Sequence, residues 1–199
     1  MANVKVGRRA QYAESTRRAL LDAGVALFVE RGYGTVSAEE LVATAGLTRG
    51  ALYHHFDGKQ GLFEAVFEEQ EERAAQRVVA AMAAHQDVWR RHSAGLDAFL
   101  AICAEPDYRE IVLLQGPVAL GWDRWRELDR RHLGGLVLDD VRALRESGAI
   151  RPHPDELVAA AVFGAITEIS LAAVRAADPA LAREQAARVI LELLSGLRP

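Results

Sequence analysis

No proline occurs before Pro106, and the six in the chain stand at 106, 117, 152, 154, 179 and 199. Proline removes a backbone donor and breaks helix interiors, so the first hundred residues can run as uninterrupted helices while the rest is cut into segments. Apolar residues follow the helical period: Leu20, Ala23, Gly24, Leu27 and Phe28 fall at i, i+3, i+4, i+7 and i+8. The sequence has no alternating β-branched runs and no internal repeat. The fold class is therefore all-α, with helices expected over 12–31, 37–45, 48–56, 58–84, 92–104, 107–114, 121–147, 154–176 and 179–196, about nine in all.

Local chemistry sets several of these boundaries. Ser37 and Glu40 have capping-box spacing, with Val36 and Leu41 placed as the staple around the cap. Gly46 suits the left-handed conformation past a helix end, and Thr48 caps the next helix with Leu47 and Leu52 as its staple. Asp57 is expected to cap a fourth helix starting at Gly58. Gly116-Pro117 is expected to interrupt the chain between two helices, as a turn or as a hinge.

The 199 residues are half apolar and carry a net charge of −4, enough chain for one or two compact domains and too acidic for a protein that coats nucleic acid non-specifically. Charge is unevenly placed: residues 1–60 carry eight Lys/Arg against six Asp/Glu, whereas residues 61–199 carry sixteen against twenty-two. A polyanion would meet the first part. Lys5, Arg8 and Arg9 precede the first acid, Glu14, so residues 1–11 read either as a tail or as an arm that touches phosphate. The uncharged apolar runs 111–122 and 157–167 fall short of the ~20 residues of a membrane span, and no apolar core of a secretory signal follows the basic start. A cytoplasmic protein with no membrane partner is expected. Cys103 is the only cysteine, which excludes an intrachain disulfide and a cysteine-built zinc site.

Residues 37–56 have the form of a helix-turn-helix: two short capped helices around Ala45-Gly46-Leu47, with Leu41, Val42 and Leu52 placed to hold them against the first helix. The second motif helix presents polar groups from its N-terminal half. The candidate DNA-contacting residues are Ser37, Thr48, Arg49, Gly50, Tyr53, His54, His55 and Lys59: Arg49 can fork onto guanine, Gly50 lets backbone approach the duplex, and the others can donate to phosphate or touch base edges. The run from Thr35-Val36-Ser37 through Ala45-Gly46-Leu47-Thr48-Arg49-Gly50-Ala51-Leu52-Tyr53-His54-His55-Phe56 to Lys59 closely resembles the tetracycline-repressor-like (TetR) regulators. The resemblance covers about residues 12–67. It implies base or near-base contacts at Arg49, Gly50 and Tyr53, and phosphate contacts at Thr48, His54, His55 and Lys59. Glu39 and Glu40 depart from relatives with a basic contact in the first motif helix, and Glu40 reads as the capping-box acid.

The organisation expected from this is an N-terminal three-helix DNA-binding domain over 1–60 and a C-terminal helical effector-binding and dimerisation domain over 61–199. The resemblance implies a repressor that binds a near-palindromic operator in double-stranded DNA as a homodimer and is released by a small-molecule effector. The dimer seam is expected through 154–196, where residues 157–167 are apolar all round and Ala186, Val189, Ile190, Leu193, Leu194 and Leu197 form one stripe. Candidate ligand-lining residues are Trp89, Phe99, Cys103, Tyr108, Trp122, Trp125, His132 and Phe163. No metal, cofactor or catalytic residues are expected: His85 and His92 are seven apart, and there is no Gly-rich phosphate loop. The competing readings are a ligand-binding protein or enzyme with a vestigial helix-turn-helix, and a DNA-binding regulator whose interior is filled by side chains.

Overall fold

A computed structural model describes the backbone of residues 2–199 and the side chains of residues 10–199. Among the described residues there are nine helices and no strand: α1 (Ala2–Arg31), α2 (Ala38–Ala45), α3 (Arg49–Phe56), α4 (Lys59–Ala83), α5 (Val88–Cys103), α6 (106–119), α7 (122–146), α8 (Asp155–Ala173) and α9 (Pro179–Ser195). α1 begins ten residues earlier than its apolar stripe indicated. The arm reading of Lys5, Arg8 and Arg9 falls on side chains outside the described ones, and the backbone there continues the helix.

The first two caps form as their residue types dictate. Ser37 Oγ accepts the Glu40 N–H, and Glu40 accepts the Ser37 N–H at 2.8 Å. Gly46 ends α2 at φ +67°, and Thr48 caps α3 through the Ala51 N–H. Val36, Leu41 and Leu52 are buried. Asp57 does not cap α4. It is the left-handed residue after α3, and Gly58, with no side chain to cap, precedes α4. The crossing is tight: a Cβ on Gly61 would lie 1.6 Å from the Phe56 carbonyl oxygen, so only glycine lets the start of α4 pass the end of α3.

Gly116-Pro117 does not break the chain either. α6 runs through it, with a π-helical segment over Arg109–Gln115, and ends at Ala119 before Gly121 turns at φ +80°. In the π register the Val112 carbonyl would take its hydrogen bond from residue 117, which as proline has no N–H. Trp125 Nε1 donates to that carbonyl at 2.9 Å. α7 contains a second π-helical segment, Arg130–Gly134, and is otherwise the single long helix expected.

The main apolar core is continuous. It runs from Leu20, Leu21 and Phe28 of α1, across Leu41, Leu52 and Phe56, along Leu62, Phe63, Val66 and Phe67 of α4, to Tyr108 and Ile111 of α6 and Trp125 and Leu128 of α7. α4 is thus shared between the N-terminal three helices and the rest. Two smaller clusters hold the C-terminal helices, one around Val141, Leu144, Ala159 and Leu194, the other around Leu96, Leu100, Ala186 and Ile190.

Candidate nucleic-acid interface and interior cavity

α3 divides into two faces. Leu52 and Phe56 are buried, while Thr48, Arg49, Gly50, Tyr53 and His54 are exposed and His55 is half-buried. A Cβ on Gly50 would meet nothing closer than Thr48 Oγ1 at 3.8 Å, so the helix surface there is open to an approaching partner. Arg49 Nη1 pairs with Glu39 of α2 at 2.7 Å, and its guanidinium lies 5.5 Å from the centre of the Tyr53 ring. With both ends mostly exposed and screened by water, the Arg49–Glu39 pair is weak and can open for another acceptor. The Thr48 oxygen is used in capping, which leaves its O–H to donate.

Two candidates are more committed inside the chain than their sequence indicated. Ser37 Oγ accepts from the Glu40 N–H and donates to Glu40 Oε2 at 2.8 Å, so its hydroxyl is occupied both ways. Lys59 Nζ donates to the carbonyls of Tyr33 at 2.9 Å and Val36 at 2.8 Å and sits 4.2 Å from the Tyr33 ring centre, tying down the α1–α2 connection. One ammonium proton remains. Arg17 of α1, absent from the sequence-derived set, lies 5.2 Å from the Phe56 ring centre beside α3 and has no acidic partner among the described residues. It belongs to a polar helix face, and only the packing of α1 on α3 brings it here.

The ligand candidates scatter. Phe99 and Phe163 line an interior cavity of about 70 Å³ between α4, α5, α7 and α8, together with Val78, Met82, Leu133, Leu136 and Val162. Trp89 sits at the surface under the Arg198 guanidinium, 4.2 Å away. Trp122 is half exposed, and its neighbour Trp125 is core. His132 packs near Glu68, at 4.0 Å. Tyr108 and Cys103 are buried in a separate polar cluster, where Tyr108 donates to Glu71 at 3.2 Å and burial pushes the Cys103 thiol up. The cavity's polar wall, His92 and Asp140, was not singled out: the two are 48 residues apart and share no local signature.

α8 exposes Leu157 and α9 exposes Leu193 on an apolar groove of about 450 Å³, and α9 also exposes Leu181 and Val189 outside it. The stripe on α9 separates into a core row, Ala186, Ile190 and Leu194, and the exposed pair Val189 and Leu193. Taken whole, α8 is long and apolar enough to cross a membrane by length and composition alone, with mean hydropathy 1.6 over its most apolar window and 28% of that window buried. The shorter run counted in the sequence, 157–167, understated it.

The chain resembles known proteins over most of its length. A family model described as "Bacterial regulatory proteins, tetR family" matches residues 20–66, and one described as "Tetracyclin repressor-like, C-terminal domain" matches residues 89–197. The crystal structure of a TetR-family transcriptional regulator from Pectobacterium atrosepticum superposes with a TM-score of 0.82 at 30% identity, covering 94% of this chain and 96% of that one. The transposon Tn10 TetC protein of Escherichia coli is 24% identical over 148 residues, 73% of each chain. The HTH-type transcriptional regulator AcrR of Shigella flexneri is 41% identical over 58 residues, 29% of this chain and 27% of that protein. The helix-turn-helix, the nine-helix order and these matches together establish that this chain belongs to the TetR family of DNA-binding transcriptional regulators.

Proposed function

We propose that the protein is a cytoplasmic repressor that binds a near-palindromic operator as a homodimer and leaves it when a small effector enters the cavity between α4, α5, α7 and α8. The observation that carries the reading is the two-faced α3, which buries Leu52 and Phe56 and offers Arg49, Gly50, Tyr53 and His54 outward. Arg49 reads guanine, Gly50 and Tyr53 lie near the bases, and Thr48, His54, His55 and the remaining Lys59 proton take phosphate, with Ser37 ordering the motif as its cap. Residues 1–60 form the DNA-binding unit, and 61–199 bind effector and partner. No enzymatic role is assigned.

The exposed apolar row of α8 and α9 is assigned to the second subunit, through residues 154–196. A lipid-facing role suits α8 poorly: Glu168 is exposed within it, and Asp155 in its first turn pairs with Arg145 at 2.7 Å. Two-fold pairing of the heads is what reading two half-sites requires.

Selection of bound sequences from a random duplex pool, at a stated salt concentration, tests the reading. An inverted repeat is expected. A folded dimer that enriches nothing would transfer the function to the C-terminal helices.

A further inference from the structure

The interior cavity has one polar corner in an otherwise apolar wall. His92 and Asp140 both line it and are 5% and 7% exposed. Their Nδ1 and Oδ2 atoms lie 2.5 Å apart, while His92 Nε2 and Asp140 Oδ1 have no hydrogen-bond partner among the described residues. Arg91 Nε beside Asp140 is likewise without a hydrogen-bond partner, and because buried polar atoms are almost always paired, such orphans on residues of a cavity wall mark a place for a group from outside the chain.

The chemistry of the corner selects that group. A neutral imidazole that gives its Nδ1–H to the carboxylate presents a bare lone pair at Nε2, and Asp140 Oδ1 likewise only accepts. Arg91 Nε stands 4.0 Å from Oδ1, so the carboxylate has a charged donor of the chain beside it, and His92 Nε2 is the acceptor left for a ligand to fill. The Thr167 hydroxyl is already spent on the Phe163 carbonyl at 2.9 Å and offers the ligand no donor. A carboxylate ligand would face Asp140, and a ligand without a donor would leave His92 Nε2 bare. Size narrows the class further. The cavity, about 70 Å³, is smaller than the ~150 Å³ apolar cavity that holds a benzene ring, but its wall includes Met82, an unbranched and adaptable side chain packed over Gly95.

We propose that the cavity takes a small neutral effector with an apolar body about the size of one aromatic ring and a hydroxyl that donates to His92 Nε2, with Asp140 setting the tautomer. The inference rests on the effector reading above and specifies its ligand class. Phenol is the simplest probe; toluene lacks the donor and benzoate replaces it with an anion.

Calorimetric titration of the full-length protein with the three compounds is the test, repeated on His92→Phe and His92→Gln. The expected result is phenol bound about tenfold or more tighter than toluene, and benzoate bound weakest. His92→Phe should lose the preference for phenol over toluene, whereas His92→Gln, whose amide oxygen can accept near the Nε2 position, should keep it. The readout is a ratio within one protein, which general destabilisation leaves unchanged. Equal binding of phenol and toluene by the wild type overturns the hydroxyl anchor and leaves the cavity as a ligand site. Preference for benzoate overturns it in favour of an anion. Absence of binding by all three overturns both the ligand class and the effector reading of this cavity.

Discussion

Gln115, the last residue of the π-helical segment in α6, donates from Nε2 to the backbone carbonyl of Phe28 in the last turn of α1, at 2.9 Å. The other end of the same amide accepts the Tyr33 N–H at 2.8 Å. The Phe28 carbonyl already accepts the Gly32 N–H at 3.0 Å, so the Gln115 amide adds a second bond there and supplies the Tyr33 N–H, just past the helix end, with its partner. Gln115→Met keeps the length and removes both bonds. It should lower stability by about 1–3 kcal/mol, a fall of roughly 2–10 °C in Tm by thermal unfolding. Operator sequence preference should persist, since no α3 residue is touched. An unchanged Tm would mean that water replaces the amide at no cost.

The Trp125 indole and the Val112 carbonyl make the same kind of pair within the core, 13 residues apart and both buried. Trp125→Phe retains most of the apolar contact but removes the donor and leaves a buried carbonyl whose helical partner would have been Pro117. We expect a loss of about 1–3 kcal/mol plus the cost of the lost ring volume, measured as a lower denaturation midpoint at unchanged slope. Adding Pro117→Ala, which restores a backbone N–H, should recover part of that loss. If the double variant is no more stable than the single one, the indole is not replacing the missing N–H.

These pairs show which parts of the molecule were legible in the sequence. The boundaries of α2 and α3 were, because Ser37, Glu40, Gly46 and Thr48 act on backbone groups within four residues of themselves. Asp57 was misread because its type suits both an N-cap and a left-handed residue, and the close passage of Gly61 over Phe56 decides between them. Gly116-Pro117 looked like a break because the partner that makes a continuous helix tolerable, Trp125, lies on the next helix. At the interface, residue type pointed to Arg49 and Tyr53, but it could not show that Lys59 is drawn onto two loop carbonyls or that Arg17 lies beside Phe56. The aromatic residues expected around a ligand were chosen by composition. Most of them fill the core or lie at the surface, and the polar corner that faces the cavity comes from His92 and Asp140 on two separate helices.

Arg49 and Lys59 should separate by their effects. Arg49→Ala is expected to reduce discrimination between operator and scrambled duplex by about 1–3 kcal/mol with little change in Tm. Lys59→Met removes the tie between α4 and the Tyr33 and Val36 carbonyls, so it should lower Tm as well as weaken binding to every duplex alike. A Lys59 variant with wild-type Tm and a shallower salt dependence would identify a pure phosphate contact instead.

Glu39 holds Arg49 at 2.7 Å on the surface proposed to meet DNA. Glu39→Gln removes a negative charge from that surface and frees the guanidinium. Operator affinity at low salt should rise severalfold, and the gain should fade as salt screens the exposed charges. Fluorescence anisotropy across a salt series checks both the sign and the fading; reduced affinity would show that Glu39 positions Arg49 for its base.

Burial sets a pH dependence of opposite sign from the usual carboxylate. Asp129 is 5% exposed and, through desolvation only partly offset by Arg126, is pushed up to about 6. Glu71, fully buried near it, is raised well above the ordinary range by burial and by the Asp129 charge. A carboxyl that holds its proton longer folded than unfolded contributes stability that is complete below its unfolded value and is lost as pH rises through the folded one. For Asp129 that window runs from 3.8 to about 6. Asp129→Asn stays neutral throughout, so its Tm relative to wild type should be flat below about pH 4, climb through the window, and stand roughly 3–10 °C higher at pH 8 than at pH 4. Glu40 has the reverse slope, since the Ser37 N–H and Arg31 hold it down to about 2 from 4.5, but it is common to both proteins and cancels in the difference. Parallel Tm curves from pH 4 to 8 would show that Asp129 is ionised in the fold without penalty, with Arg126 as its full counter-charge.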